Sequence, residues 1–188
     1  YYPNYDTFVR TAGGVIRPIP TTVEEGYRYA DRSRIEPLIN ERTRAILITN
    51  PGNPTGVVLS PTERQLMVDI AREHDLFLIS DEVYREIVYG GEAPSSMLEF
   101  ADAAENVAVI DSVSKRFSAT GARVGALISR NRELMGQAMK ICQGRLCAAT
   151  LDQVAAAAMY RQMEPAYYAD VREEYRRRKE AVVAALHK

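Results

Sequence analysis

Three short runs limit what this chain can fold into: Ala45-Ile46-Leu47-Ile48-Thr49, Leu76-Phe77-Leu78-Ile79-Ser80 and Val107-Ala108-Val109-Ile110-Asp111. Each is nearly continuous in apolar residues rather than alternating. That pattern suits central strands covered on both faces, as in a parallel α/β sheet. Between the first two lies Ser60-Pro61-Thr62-Glu63, a capping box with proline at the first helical position. It predicts a helix from Pro61 to about His74. Strand, helix and strand then form a right-handed βαβ unit.

Two further runs, Val15 to Ile19 and Val124 to Ser129, also read as strands. Beyond Ser129 the pattern turns helical. Asn131 caps a helix to about Leu146, Asp152 caps another to about Met163, and a third runs from Pro165 to Leu186. In the third, Glu173 and Glu174 stand four residues before Arg177 and Arg178, the favourable order for ion pairs. The run Arg176-Arg177-Arg178-Lys179 reads as a solvated helix face, because acids are interleaved with it.

The chain has 188 residues, enough for one domain with a real core and part of a second. A formal net charge of -1 provides no field to recruit nucleic acid or an anionic membrane. No stretch approaches the roughly 18 apolar residues of a spanning helix, and no basic-then-apolar leader opens the sequence. Cys142 and Cys147 lie far in sequence from His74 and His187, poor material for zinc, and two thiols make no disulfide framework. They read as reduced, partly buried thiols in a cytoplasmic protein. The opening Tyr1-Tyr2-Pro3-Asn4-Tyr5 has no methionine, so the sequence reads as part of something longer.

In an open α/β sheet, ligands bind beyond the carboxyl ends of the strands. Asn50-Pro51-Gly52-Asn53-Pro54-Thr55-Gly56 follows the first run, Asp81-Glu82-Val83-Tyr84 the second, and Ser112-Val113-Ser114-Lys115 the third. If Val124 to Ser129 runs antiparallel, its start brings Arg123 to the same edge. Singly, each motif has a bland reading: a tight turn, a helix cap at Asp81, a core tyrosine. Together they suit a phosphorylated aldehyde, with the Lys115 amine for the carbonyl and Ser112 and Arg123 for the phosphate. There is no Gly-x-x-x-x-Gly-Lys-Ser/Thr loop and no Gly-x-Gly-x-x-Gly after a strand, so a nucleotide-binding domain is disfavoured.

The Asn53-Pro54-Thr55-Gly56 loop, the Asp81 and Tyr84 pair, and Ser112-Val113-Ser114-Lys115 with Gly121-Ala122-Arg123-Val124-Gly125 resemble the class I/II aminotransferases, fold-type I pyridoxal-phosphate enzymes. The resemblance covers essentially the whole chain and leans towards aspartate aminotransferase-like proteins. It implies an α/β large domain over residues 1–163: a mostly parallel sheet with one antiparallel strand and helices on both faces. Residues 164–188 would be a long helix leading towards a small domain.

It also implies pyridoxal 5'-phosphate as cofactor. Lys115 would carry it as a Schiff base and then move the proton at the substrate Cα. Asp81 would pair with the pyridine nitrogen. Asn53 and Tyr84 would hydrogen-bond the phenolic oxygen, and Ser112, Ser114 and Arg123 would hold the phosphate. Tyr2 lines up where relatives often place Trp against the ring, and this chain has no Trp. Partners would be an amino acid, a 2-oxo acid and a second copy in a homodimer. The residue gripping the substrate carboxylate would lie outside these 188 residues, so the chain alone is expected to be inactive. The same scaffold hosts β-elimination, decarboxylation and racemisation, and non-enzymatic pyridoxal-phosphate sensors.

Overall fold

The structure is a computed structural model that describes residues 1–91 and 94–187. Four strands form one sheet: β1 (Ala45–Thr49), β2 (Phe77–Asp81), β3 (Val107–Ser112) and β4 (Gly125–Ser129), in that spatial order. β1, β2 and β3 are parallel, with Thr49 opposite Asp81 and Asp81 opposite Ile110. β4 is antiparallel to β3 and sets Gly125 opposite Ser112. The carboxyl ends of three strands and the amino end of the fourth therefore share one edge. The mostly parallel sheet with one reversed strand is as expected.

The helices are α1 (Asn4–Thr11), α2 (Arg32–Ile35), α3 (Pro61–Glu73), α4 (Val113–Arg116), α5 (Arg132–Arg145), α6 (Thr150–Gln162) and α7 (Pro165–Leu186). The capping box at α3 forms as its residues dictate. Ser60 Oγ accepts from the Glu63 amide, and Glu63 accepts from the Ser60 amide at 2.7 Å. Ser60→Ala is expected to lower stability by about 1 kcal/mol, measured by urea unfolding. α3 lays Met67, Val68, Ile70 and Ala71 against Ile46, Ile48, Leu78, Val107 and Val109 to make the main core. A second cluster joins Val113 and Phe117 to Ala156 of α6 and to Tyr167 and Tyr168 of α7.

Several expectations are corrected. Residues 15–19 form no strand. Pro18 lacks the amide that a sheet ladder needs, and the segment borders a cavity of about 720 Å³ lined on its other side by β1. Leu47 and Ile79 face this cavity half-buried, so β1 and β2 are not covered evenly on both faces, whereas β3 is buried from Val107 to Val109. α1 went unpredicted. α6 starts at Thr150 with Ala149 at its cap position, and Asp152 lies in the first turn instead of capping. Asn131 does cap α5, accepting from the Leu134 amide at 2.8 Å.

On α7, Glu174 pairs with Arg178 as expected, but Glu173 takes Arg176 rather than Arg177. Cys142 and Cys147 are free and exposed rather than partly buried: α5, which carries Cys142, buries none of its residues, and Cys147 lies just beyond its end. Among the described residues no helix is long and apolar enough to cross a membrane.

Candidate active site

The shared sheet edge gathers the loops singled out above. After β1, the Asn50–Gly56 loop is anchored from beneath. Asn50 is buried, accepts from the Leu59 amide at 2.9 Å, and donates its own amide to the Asp81 carbonyl. Gly56 sits at φ +73, a conformation that side chains disfavour, and so lets the loop turn back. The loop presents Asn53, whose amide nitrogen donates to the Tyr84 hydroxyl at 3.2 Å. Burial, then the Asp81 charge, pushes the Tyr84 phenol up, while the Asn53 bond pulls the other way.

Asp81 ends β2. Its Oδ2 accepts from the Tyr5 hydroxyl at 2.7 Å, and its Oδ1 faces the Val83 amide at 3.3 Å. Residues 82–87 then form turns, not a helix, so the bland helix-cap reading of Asp81 shrinks to one turn contact. Glu82 beside it is buried. Burial pushes its carboxyl up, against a bond from the Met97 amide at 2.8 Å and contacts with Ser80 and Arg85.

Lys115 rides on α4, a single turn capped by Ser112, whose Oγ accepts from the Ser114 amide at 3.1 Å. The two serine hydroxyls lie 2.9 Å apart, and Ser112 Oγ is 3.1 Å from the Val124 carbonyl. The Lys115 amine stands 5.8 Å from the centre of the Tyr84 ring. Sheet pairing therefore sets the segment after Arg123 directly beside Ser112, as the antiparallel strand required. Gly125 allows that approach: a Cβ there would stand 3.2 Å from the Asp111 carbonyl oxygen.

Arg123 itself is exposed, in the left-handed region at φ 54, and donates to the Thr120 carbonyl at 2.8 Å. Ser118 has the same φ. Non-glycine residues held this way cost about 1–3 kcal/mol and gather at ligand sites. Tyr2 is exposed, edge-on to the Tyr5 ring at 5.7 Å, and accepts from the Asn4 amide. The structure thus joins Asn53, Tyr84 and Lys115 in one group and Ser112 with Ser114 in another.

Two features were missed. Tyr5 is buried and bridges Asp81 and Thr49, with its hydroxyl 2.9 Å from Thr49 Oγ1. Burial raises its phenol well above the ordinary range. Tyr1, Tyr2 and Tyr5 crowd one short segment, and no spacing tells which of them reaches partners 44 and 76 residues away. Tyr5→Phe removes a hydrogen bond to a carboxylate, and we expect it to lower stability by about 1–2 kcal/mol, measured by urea unfolding.

The second feature is an ion cluster under α4. Arg116 donates to Asp111 at 2.9 Å and to Glu86 at 2.7 Å. Burial works against the guanidinium charge, but the two carboxylates outweigh it and hold its pKa above the usual range.

Residues 1–188 match the family model described as aminotransferase class I and II. This chain belongs to that family. It is 31% identical over 190 residues to an aspartate/prephenate aminotransferase of Thermus thermophilus, covering 99% of this chain and 48% of the relative. It is 32% identical over 188 residues to aromatic-amino-acid aminotransferase 2 of Thermococcus litoralis, again 99% of this chain and 48% of the relative. Among solved structures, Thermus thermophilus aspartate aminotransferase with maleate superposes with a TM-score of 0.89 at 31% identity, over all of this chain and 48% of that one. The chain spans about half the length of the curated relatives it matches.

Proposed function

We propose that this chain is the cofactor-binding part of an enzyme that moves an amino group between an amino acid and a 2-oxo acid with pyridoxal 5'-phosphate. The observation that carries the reading is the meeting of Lys115, Tyr84 and Asn53 beside Asp81 at one sheet edge. This donor set fits a phosphorylated pyridine aldehyde: an amine for the carbonyl, two hydrogen-bonding groups for a phenolic oxygen, and a carboxylate for a ring nitrogen. The hydroxyls of Ser112 and Ser114, with Arg123 two residues before β4, suit the phosphate. Tyr2, edge-on to Tyr5 at 5.7 Å, would cover a ring face.

Bound there, pyridoxal phosphate supplies an electron sink for bonds at the substrate α-carbon. Asp81, its orientation fixed by Tyr5, holds the charge of the ring nitrogen. Asn53 and Tyr84 hydrogen-bond the phenolic oxygen and favour its charged form. Lys115 holds the cofactor and carries the proton at the substrate Cα. Names among the relatives support aspartate as the amino donor, and we infer 2-oxoglutarate as the acceptor and a cytoplasmic homodimer. No residue of this chain is assigned to the substrate carboxylate, so these 188 residues alone should bind cofactor without turnover.

The test is spectroscopic. Adding pyridoxal phosphate should give a visible absorption band, and borohydride should then attach the cofactor to the peptide containing Lys115. Absence of a band, or attachment at Lys140, would overturn the reading.

A further inference from the structure

The single turn that carries Lys115 cannot hold itself, because one helical turn is unfavourable without outside support. Ser112 caps its start. Val113 and Phe117 anchor it in the second cluster, and further support comes from Arg116, the residue after Lys115 and only 8% exposed. Its two carboxylate partners belong to different elements. Asp111 is on β3. Glu86 belongs to the turns at 82–87, where the Arg85 amide donates to the Glu82 carbonyl and the Ile87 amide to the Tyr84 carbonyl. Tyr84 and Glu86 are thus held on one piece of chain.

Tyr160 of α6 closes the group, with its hydroxyl 3.3 Å from Asp111 and its ring 5.7 Å from the guanidinium. Arg85 comes within 3.8 Å of Glu86 while pairing with Glu82 at 3.2 Å. The charged and titratable groups facing this unit are Asp81 at the end of β2, Asp111 from β3, Glu82, Tyr84, Arg85 and Glu86 from the turns, Tyr160 from α6, Tyr175 from α7, and Tyr2.

A buried ion cluster is a poor route to stability, since desolvation can exceed the attraction and an apolar side chain of like volume often serves better. Here Arg116 Nε is also buried without a partner, a further cost. The cluster does supply geometry. A guanidinium is a rigid planar fork, and this one joins β3 to the turns at 82–87.

We propose that Arg116 is a positioning residue: by bridging Asp111 and Glu86 it clamps the turn bearing Tyr84 to the helix bearing Lys115, and so sets how amine and phenol face the bound cofactor. This rests on the reading of Lys115 as the cofactor lysine. Glu86→Gln removes the charge from the tie to the Tyr84 turn while leaving Arg116 on Asp111. Glu86 is partly exposed, so the variant should fold, checked by thermal melting; Arg116→Met cuts both ties.

In ligand-free protein, acetic anhydride labelling read by mass spectrometry gives the rate at Lys115 relative to Lys140. We expect Glu86→Gln to change that ratio about threefold, and to move the pH midpoint of the visible band with pyridoxal phosphate by about half a unit. An unchanged ratio and midpoint, with borohydride still trapping cofactor on Lys115, would overturn the clamp and leave the cofactor reading standing. Trapping on another lysine would overturn both.

Discussion

Replacing Lys115 by alanine is expected to slow amino-group transfer by about 1,000- to 10,000-fold in an enzyme carrying this chain. The amine is the one described lysine at the shared sheet edge. Nothing beside it can take over proton transfer: Tyr84 has its phenol pushed up by burial and by Asp81, and Ser112 is engaged as a helix cap. Cofactor affinity should fall less, because Asp81, Asn53 and the two serines remain. The visible band should shift or vanish, and borohydride should no longer fix the cofactor. A Lys115→Ala protein with ordinary turnover would mean that another amine does the work, and the site would have to be sought elsewhere.

Much of this arrangement was legible in the sequence, for identifiable reasons. Continuous apolar runs mark β1, β2 and β3 because central strands of a parallel sheet turn side chains towards a covering layer on each face. Ser60 and Glu63 mark the start of α3 because a capping box is local chemistry. The convergence of Asn53, Asp81 and Lys115 follows from strand direction alone. The failures are equally physical. Residues 15–19 have a strand's composition, but pairing is not local, and Pro18 argues against it. Tyr5 reaches Asp81 across 76 residues, so its part depends on tertiary placement. Arg116 has no sequence signal to set it apart from other cations. Only the fold shows that it is buried between one carboxylate on β3 and another in the 82–87 turns. The two thiols were misjudged because burial depends on what packs over a segment, and α5 buries none of its residues.

Asp81 offers the sharpest contrast between a structural and a catalytic part. Its Oδ1 faces the Val83 amide at 3.3 Å, a contact that asparagine can make as well. If that were its whole part, Asp81→Asn would be nearly silent. If instead the carboxylate holds a cationic ring nitrogen, the substitution leaves a buried charge without its partner, a loss of about 3–5 kcal/mol. We therefore expect Asp81→Asn to lower turnover by roughly two to three orders of magnitude, with a smaller loss of cofactor affinity and little change in melting temperature. Tyr5→Phe should move turnover in the same direction and less far, because it removes one hydrogen bond from Asp81 Oδ2 and leaves the charge. Combined, the two changes should cost less than their sum, since without the carboxylate charge the Tyr5 hydroxyl has less to orient. Near-normal turnover in Asp81→Asn would return Asp81 to a turn residue and remove it from the chemistry.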